Sequence, residues 1–124
     1  MTRTPDELVT EFCAQWATPD AEKLASYFAE NAIYHNIPME PIRGRDAIRQ
    51  FMVGFTEAYD GIDFLVHNQI SNGGLVMNER TDVLRRKDGK AARLPVTGVF
   101  DIVDDRIAGW RDYFDRATFT EAMR

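Results

Sequence analysis

The sequence predicts an α+β fold: a curved, mixed but mainly antiparallel sheet, with N-terminal helices packed on its concave face around a cone-shaped pocket. Three observations carry this. Apolar residues recur at helical spacing in the first half of the chain. Long alternating segments broken by Gly- and Asp-bearing turns fill the second half. Helices first and strands last is the order of an α+β domain, and a sheet curled around helices leaves a closed-ended pocket. The 124 residues make one domain, taken as 1–124, with no repeat or linker.

The first helix opens at Thr4-Pro5-Asp6-Glu7, with Thr4 as N-cap, Pro5 at the first helical position and Glu7 completing a capping box. Leu8, Val9, Phe12 and Trp16 form its apolar face. Thr18-Pro19-Asp20 repeats the start signal, and Leu24, Tyr27 and Phe28 mark a second short helix ending near Glu30-Asn31. So short a connection predicts that the two helices pack as a hairpin. Residues 32–37 read as a strand that Pro38 and Pro41 end. A third helix runs from about Asp46 to Tyr59, with Ile48, Phe51, Met52 and Phe55 as its stripe and Gly61 as its stop.

A meander follows. Its strands run from Phe64 to Ile70, Leu75 to Arg86, Ala92 to Val103 and Arg106 to about Asp115. Thr118 and Glu121 suit a capped final helical turn.

The meander's register decides which polar groups meet. Lys87-Asp88-Gly89 reads as a three-residue loop closed by a left-handed glycine, which pairs Arg80 with Val96 and Asp82 with Leu94. Leu94, Val96, Gly98, Phe100 and Ile102 form the apolar or small side of the next strand, so that side faces the helices. Arg80 and Asp82, together with Asn78 and Leu84, then point into the same interior. A similar odd-length loop at Asp104-Asp105 brings Trp110 and Asp112 to that side. Two carboxylates and one guanidinium would thus share an apolar cavity. Charges so placed must be paired or neutralised. One arginine fork can hold both acids, and the pair is expected to share one proton. That is an acid/base couple.

Composition removes other classes. Fifteen Lys and Arg against 20 Asp and Glu give a net charge of −5, and no basic run exists, which excludes nucleic acid and anionic membrane as partners. Two histidines and one cysteine argue against a zinc site. His35 and His67 read as exposed or core residues, and Cys13 as a small helix residue. Asn72-Gly73-Gly74 is a turn, not a phosphate loop. The lone cysteine, the absence of a signal-peptide core and the lack of a spanning apolar run predict a cytoplasmic location.

Four segments taken together resemble one family. They are Tyr34-His35-Asn36, Pro41-Ile42-Arg43-Gly44, Glu79-Arg80-Thr81-Asp82-Val83 and Gly109-Trp110-Arg111-Asp112-Tyr113-Phe114-Asp115. The ordered set resembles the limonene-1,2-epoxide hydrolase family, whose fold is shared with SnoaL-like and nuclear-transport-factor-2-like domains. The resemblance spans nearly the whole chain and implies metal-free, cofactor-free, single-step hydrolysis of a hydrophobic epoxide to a vicinal diol. It assigns Asp112 as the base on water, Tyr34 and Asn36 as the water's holders, Asp82 as the acid and Arg80 as the bridge between the acids. Leu84, Leu94, Val96, Trp110 and Phe114 would hold the substrate.

The resemblance also points to a homodimer, with Val83, Val99 and Val103 on the far sheet face. The chain starts at its first helix, so any segment lidding the pocket in relatives is expected to be short or missing. The alternatives are a SnoaL-like cyclase or isomerase and a non-catalytic ligand-binding module. A buried Asp–Arg–Asp cluster is costly in a mere binding cavity, which argues against the last.

Overall fold

A computed structural model describes residues 3–124. Helices α1 (Pro5–Gln15) and α2 (Ala21–Ala25) precede strands β1 (Phe28–Asn36) and β2 (Ile42–Arg43). Helix α3 (Arg45–Ala58) leads into β3 (Tyr59–Asn72), β4 (Leu75–Arg86), β5 (Ala91–Val103) and β6 (Arg106–Tyr113), and α4 (Arg116–Ala122) closes the chain. The six strands form one curved sheet ordered β2-β1-β6-β5-β4-β3. Only the β1–β6 pairing is parallel. The predicted fold class is the one observed.

Helix α1 forms as its sequence dictates. The Thr4 hydroxyl accepts from the Glu7 N–H at 3.1 Å, and the Glu7 carboxylate accepts from the Thr4 N–H at 2.9 Å. Leu8, Val9, Phe12, Cys13 and Trp16 are buried. Phe12 lies at the centre of an aromatic cluster, with its ring edge-on to Trp16, Tyr27, Phe28, Phe100 and Trp110.

Several expectations need correction. Helix α2 stops at Ala25, not near Glu30-Asn31, and packs mainly on α3 instead of pairing with α1. The cause is sheet pairing. The Tyr27 carbonyl accepts from the Ile107 N–H at 2.8 Å, which draws Phe28 into β1 beside β6. Strand β2 was not expected; after the Asn36–Met39 turn, Ile42 and Arg43 fold back on Tyr34 and Ile33. Gly61 does not stop α3, because Tyr59 is already extended and opens β3. Gly61 instead passes the carbonyls of Trp16 and Ala17 so closely that a Cβ would lie 2.8 and 2.5 Å from them. The cap of α4 is Asp115, whose carboxylate accepts from the Thr118 N–H and hydroxyl, not Thr118 with Glu121.

The β4–β5 hairpin has the expected register: Arg80 opposite Val96, Asp82 opposite Leu94, and Gly89 at φ +90°. The β5–β6 hairpin reaches the expected face by another route. Asp104 and Asp105 make a two-residue turn with φ of 51° and 59°, not an odd-length loop. A bulge at Ala108 then supplies the missing offset, so Phe100 faces Trp110 and Gly98 faces Asp112.

Candidate active site

Arg80 is 1% exposed, and its guanidinium organises the interior. Its Nε–H and Nη2–H donate to the two carboxylate oxygens of Asp82 at 2.8 and 3.1 Å. Nη2–H also donates to Asp112 at 2.6 Å, and Nη1–H donates to Asn78 Oδ1 at 2.9 Å. The cationic face lies 4.4 Å from the centre of the Phe64 ring. Trp110 Nε1–H donates to the second oxygen of Asp112 at 2.7 Å. Both acids are buried and every polar contact is charge-assisted, so the cluster is a held geometry and not a surface ion pair.

The two acids and the arginine sit on one face by strand alternation along β4 and by the Ala108 bulge on β6. Room for the guanidinium comes from Gly98 on β5, between Asn78 on β4 and Asp112 on β6. A Cβ there would collide with Arg80 Nη1 and come within 2.9 Å of Asn78 and Asp112 oxygens. Its φ is not positive, so close approach alone calls for glycine.

Asp82 and Asp112 line a cavity of about 360 Å³, whereas Arg80 lies behind them. Tyr34 and Asn36, at alternate positions of β1 beside Trp110 and Asp112, line it too. The Tyr34 ring stacks on Trp110 at 4.3 Å. Tyr34 Oη and the Asn36 side-chain amide lie 3.2 to 3.4 Å apart, a loose contact that either group can exchange for a better partner. Leu84, Leu94, Val96, Trp110 and Phe114 all face the same space. His35 and His67 bond to the Met39 carbonyl and the Thr81 hydroxyl and do not line the cavity.

Electrostatics separate the groups. Burial pushes the Asp82 carboxyl up to about 6, against the lowering pull of Arg80 and with a further rise from the Asp112 charge. Burial and the Asp112 charge push the Tyr34 hydroxyl well above its usual range, so it stays protonated. Burial opposes the charge on Arg80, but Asp112 and Asp82 outweigh it. Burial also pushes the Cys13 thiol up to about 12, which leaves it inert.

The sequence reading placed Asn78 and Gly98 on the inward face without giving them a role, and missed Phe64 and the aromatic wall made by Trp16, Phe51, Phe55, Tyr59 and Phe119. Two signals were present: glycine in a strand interior, and a polar residue at i−2 from Arg80 on the buried face. Phe51 and Phe55 read as core, but Phe51 stays 38% exposed because it faces the cavity.

A family model described as the SnoaL-like domain matches residues 9–110. The chain belongs to the SnoaL-like domain family. Epoxide hydrolase EphG of Mycobacterium tuberculosis is 29% identical to this SnoaL-like chain over 96 residues, which is 77% of the chain and 63% of the relative. The chain thus spans less than two thirds of that relative's length. A solved M. tuberculosis LEH-like epoxide hydrolase superposes with a TM-score of 0.85 at 26% identity, over 97% of this chain and 90% of that one. A candidate polyketide cyclase from Pseudomonas putida KT2440 superposes with a TM-score of 0.80 at 18% identity, over 97% and 98%, and shows the shared fold alone. Among the described residues, no helix is long and apolar enough to cross a membrane.

Proposed function

We propose that this SnoaL-like chain is an epoxide hydrolase that adds water in one step to a hydrophobic epoxide and releases a vicinal diol. The carrying observation is a pair of buried carboxylates held on one guanidinium, both facing an apolar cavity beside Tyr34 and Asn36. Similarity to epoxide hydrolase EphG and to the solved LEH-like epoxide hydrolase, both of M. tuberculosis, supports the reading.

Asp112 is the base. It takes a proton from a water held by the Tyr34 hydroxyl and the Asn36 amide, and the water oxygen bonds to an epoxide carbon. The carbon–oxygen bond on that carbon breaks, and Asp82 gives its proton to the departing oxygen. Water alone is a poor nucleophile, so it needs both the base and a fixed position. The raised Asp82 carboxyl suits it to hold the proton that is donated. One guanidinium and one proton over two carboxylates leave the buried cluster neutral before and after the step. Passing the proton from Asp112 back to Asp82 resets the site. No metal, nucleotide or thiol takes part in these steps.

Single turnover in oxygen-18 water tests this. The first-turnover diol is expected to carry the label. Unlabelled diol would mean that an enzyme carboxylate attacks the epoxide, which defeats the proposed mechanism.

The reading extends to a cytoplasmic homodimer. On the far sheet face Leu65, Ile70, Leu75, Met77 and Val103 are exposed, with Val83 and Val99 half-buried among them. Ile70, Met77 and Val99 lie side by side across three strands of this face, and exposed apolar surface of this kind supports a partner. Sedimentation is expected to give twice the 14.2 kDa chain mass; a clean monomer at micromolar concentration would contradict it.

A further inference from the structure

The acid/base pair is reached from the surface by one chain of hydrogen bonds. On α1, the Asp6 carboxylate and the Thr10 hydroxyl lie 2.9 and 3.0 Å from Gln69 Nε2, and the Asp6 carbonyl lies 3.2 Å from it. Those contacts turn the Gln69 amide nitrogen toward α1 and its oxygen inward. Gln69 Oε1 then accepts from Asn78 Nδ2 at 3.1 Å, and Cys13 Sγ lies 3.8 Å from the same nitrogen. With its nitrogen spent, Asn78 can present only its oxygen to Arg80 Nη1. Each amide therefore has its orientation fixed by the one before it. A flipped Asn78 would set N–H groups against the guanidinium.

We propose that Asn78, oriented by Gln69 and α1, is a positioning residue that sets the rotation of the Arg80 fork and through it the sharing of a proton between Asp82 and Asp112. Neither amide lines the cavity. The fork is held on one edge by Asp82 and at the corner by Asp112. Asn78 supplies the third point, on Nη1, and three points fix a plane against rotation. Without it a buried guanidinium N–H loses its partner, and the fork turns toward the shorter contact, at Asp112. Asp82 then feels less of the cation and holds its proton to higher pH. The groups facing Asp82 are Arg80 on its own strand, Asp112 on β6, Tyr34 on β1 and Cys13 on α1; none of the other three can replace the lost cation.

This inference rests on the acid/base reading, so its test uses a measurement that needs no substrate. The Asp82 carboxyl is titrated by carbon-13 NMR in the free protein, in wild type, Asn78→Leu and Gln69→Leu. Gln69 is half-buried on β3 and touches neither acid, so its variant keeps the test open if Asn78→Leu does not fold. Asp82 is expected to titrate at least about half a pH unit higher in each folded variant. In hydrolysis, kcat is expected to fall about tenfold with KM within about twofold, the pattern of a lost transition-state alignment. A wild-type titration in the variants overturns the relay whether or not the wild type turns over an epoxide. A wild type that releases no diol defeats the functional reading and leaves the titration result standing.

Discussion

On the proposed mechanism, Asp112→Asn and Asp82→Asn are each expected to lower epoxide hydrolysis by at least about a thousandfold while the protein stays folded, the upper part of the range for removing a positioned acid or base. The two variants fail differently. Asparagine at 112 still accepts a hydrogen bond but takes no proton, so water in the site remains unactivated. Asparagine at 82 leaves water attack intact and strands the epoxide oxygen without its proton, so epoxides with a better-stabilised leaving oxygen recover more rate in Asp82→Asn than in Asp112→Asn. Hydrolysis at near wild-type rate in either variant removes that residue from the mechanism.

The same Asp82 carboxyl gives a pH signature that needs no catalysis. Its folded value is raised from 3.8 to about 6 by burial. Between those values the folded state holds a proton that the unfolded state has released. Stability from this group is therefore fully present below about 4 and is lost as pH rises through about 6. Asp82→Asn cannot titrate, so its stability relative to wild type rises across that window. Thermal melts of both proteins from pH 4 to 8 check the sign; parallel curves would mean that the carboxyl is not raised. If Asp82 is the acid of the proposed mechanism, hydrolysis is expected to follow the same proton and to fall as pH climbs above about 6.

The parts of the site legible in the sequence are those set by strand alternation. Gly89 and the unbroken apolar side from Leu94 to Ile102 fix the β4–β5 register, and that register alone carries Arg80 and Asp82 inward. The remainder depends on contacts far apart in sequence. Phe28 follows a helical signal, yet it joins a parallel pairing with a strand almost 80 residues later, and no local pattern encodes that choice. The Ala108 bulge is equally silent, because Ile107, Ala108 and Gly109 fit a regular strand. The expected odd-length turn gave the right face for the wrong reason, since a bulge and an extra turn residue shift register equally. Asn78 looked like one more inward polar residue until Gln69 and Arg80 were placed on either side of it. Burial of a polar group says that a partner exists, but its identity is a tertiary fact.

Of the eight glycines, Gly98 is the one at which an added methyl group strikes this site, so Gly98→Ala is expected to damage it. An added Cβ meets Arg80 Nη1, Asn78 Oδ1 and Asp112 Oδ1 together. None can yield alone, because Arg80 holds Asn78 Oδ1, Trp110 holds Asp112 Oδ1, and Arg80 is itself locked by Asp82 and Phe64. Relief requires moving the fork or spreading β5 from its neighbours, and overpacking of this kind costs about 1–3 kcal/mol. A displacement near 1 Å in the acid/base pair costs roughly a hundredfold in rate. Gly54→Ala is the matched control. Gly54 is exposed in the middle of α3 with nothing within 4 Å of the added methyl, so alanine there raises stability by up to about 1 kcal/mol and leaves hydrolysis unchanged. Denaturant unfolding and steady-state rates on the pair separate the cases. Wild-type stability and rate in Gly98→Ala would show that the guanidinium does not need the space that glycine leaves.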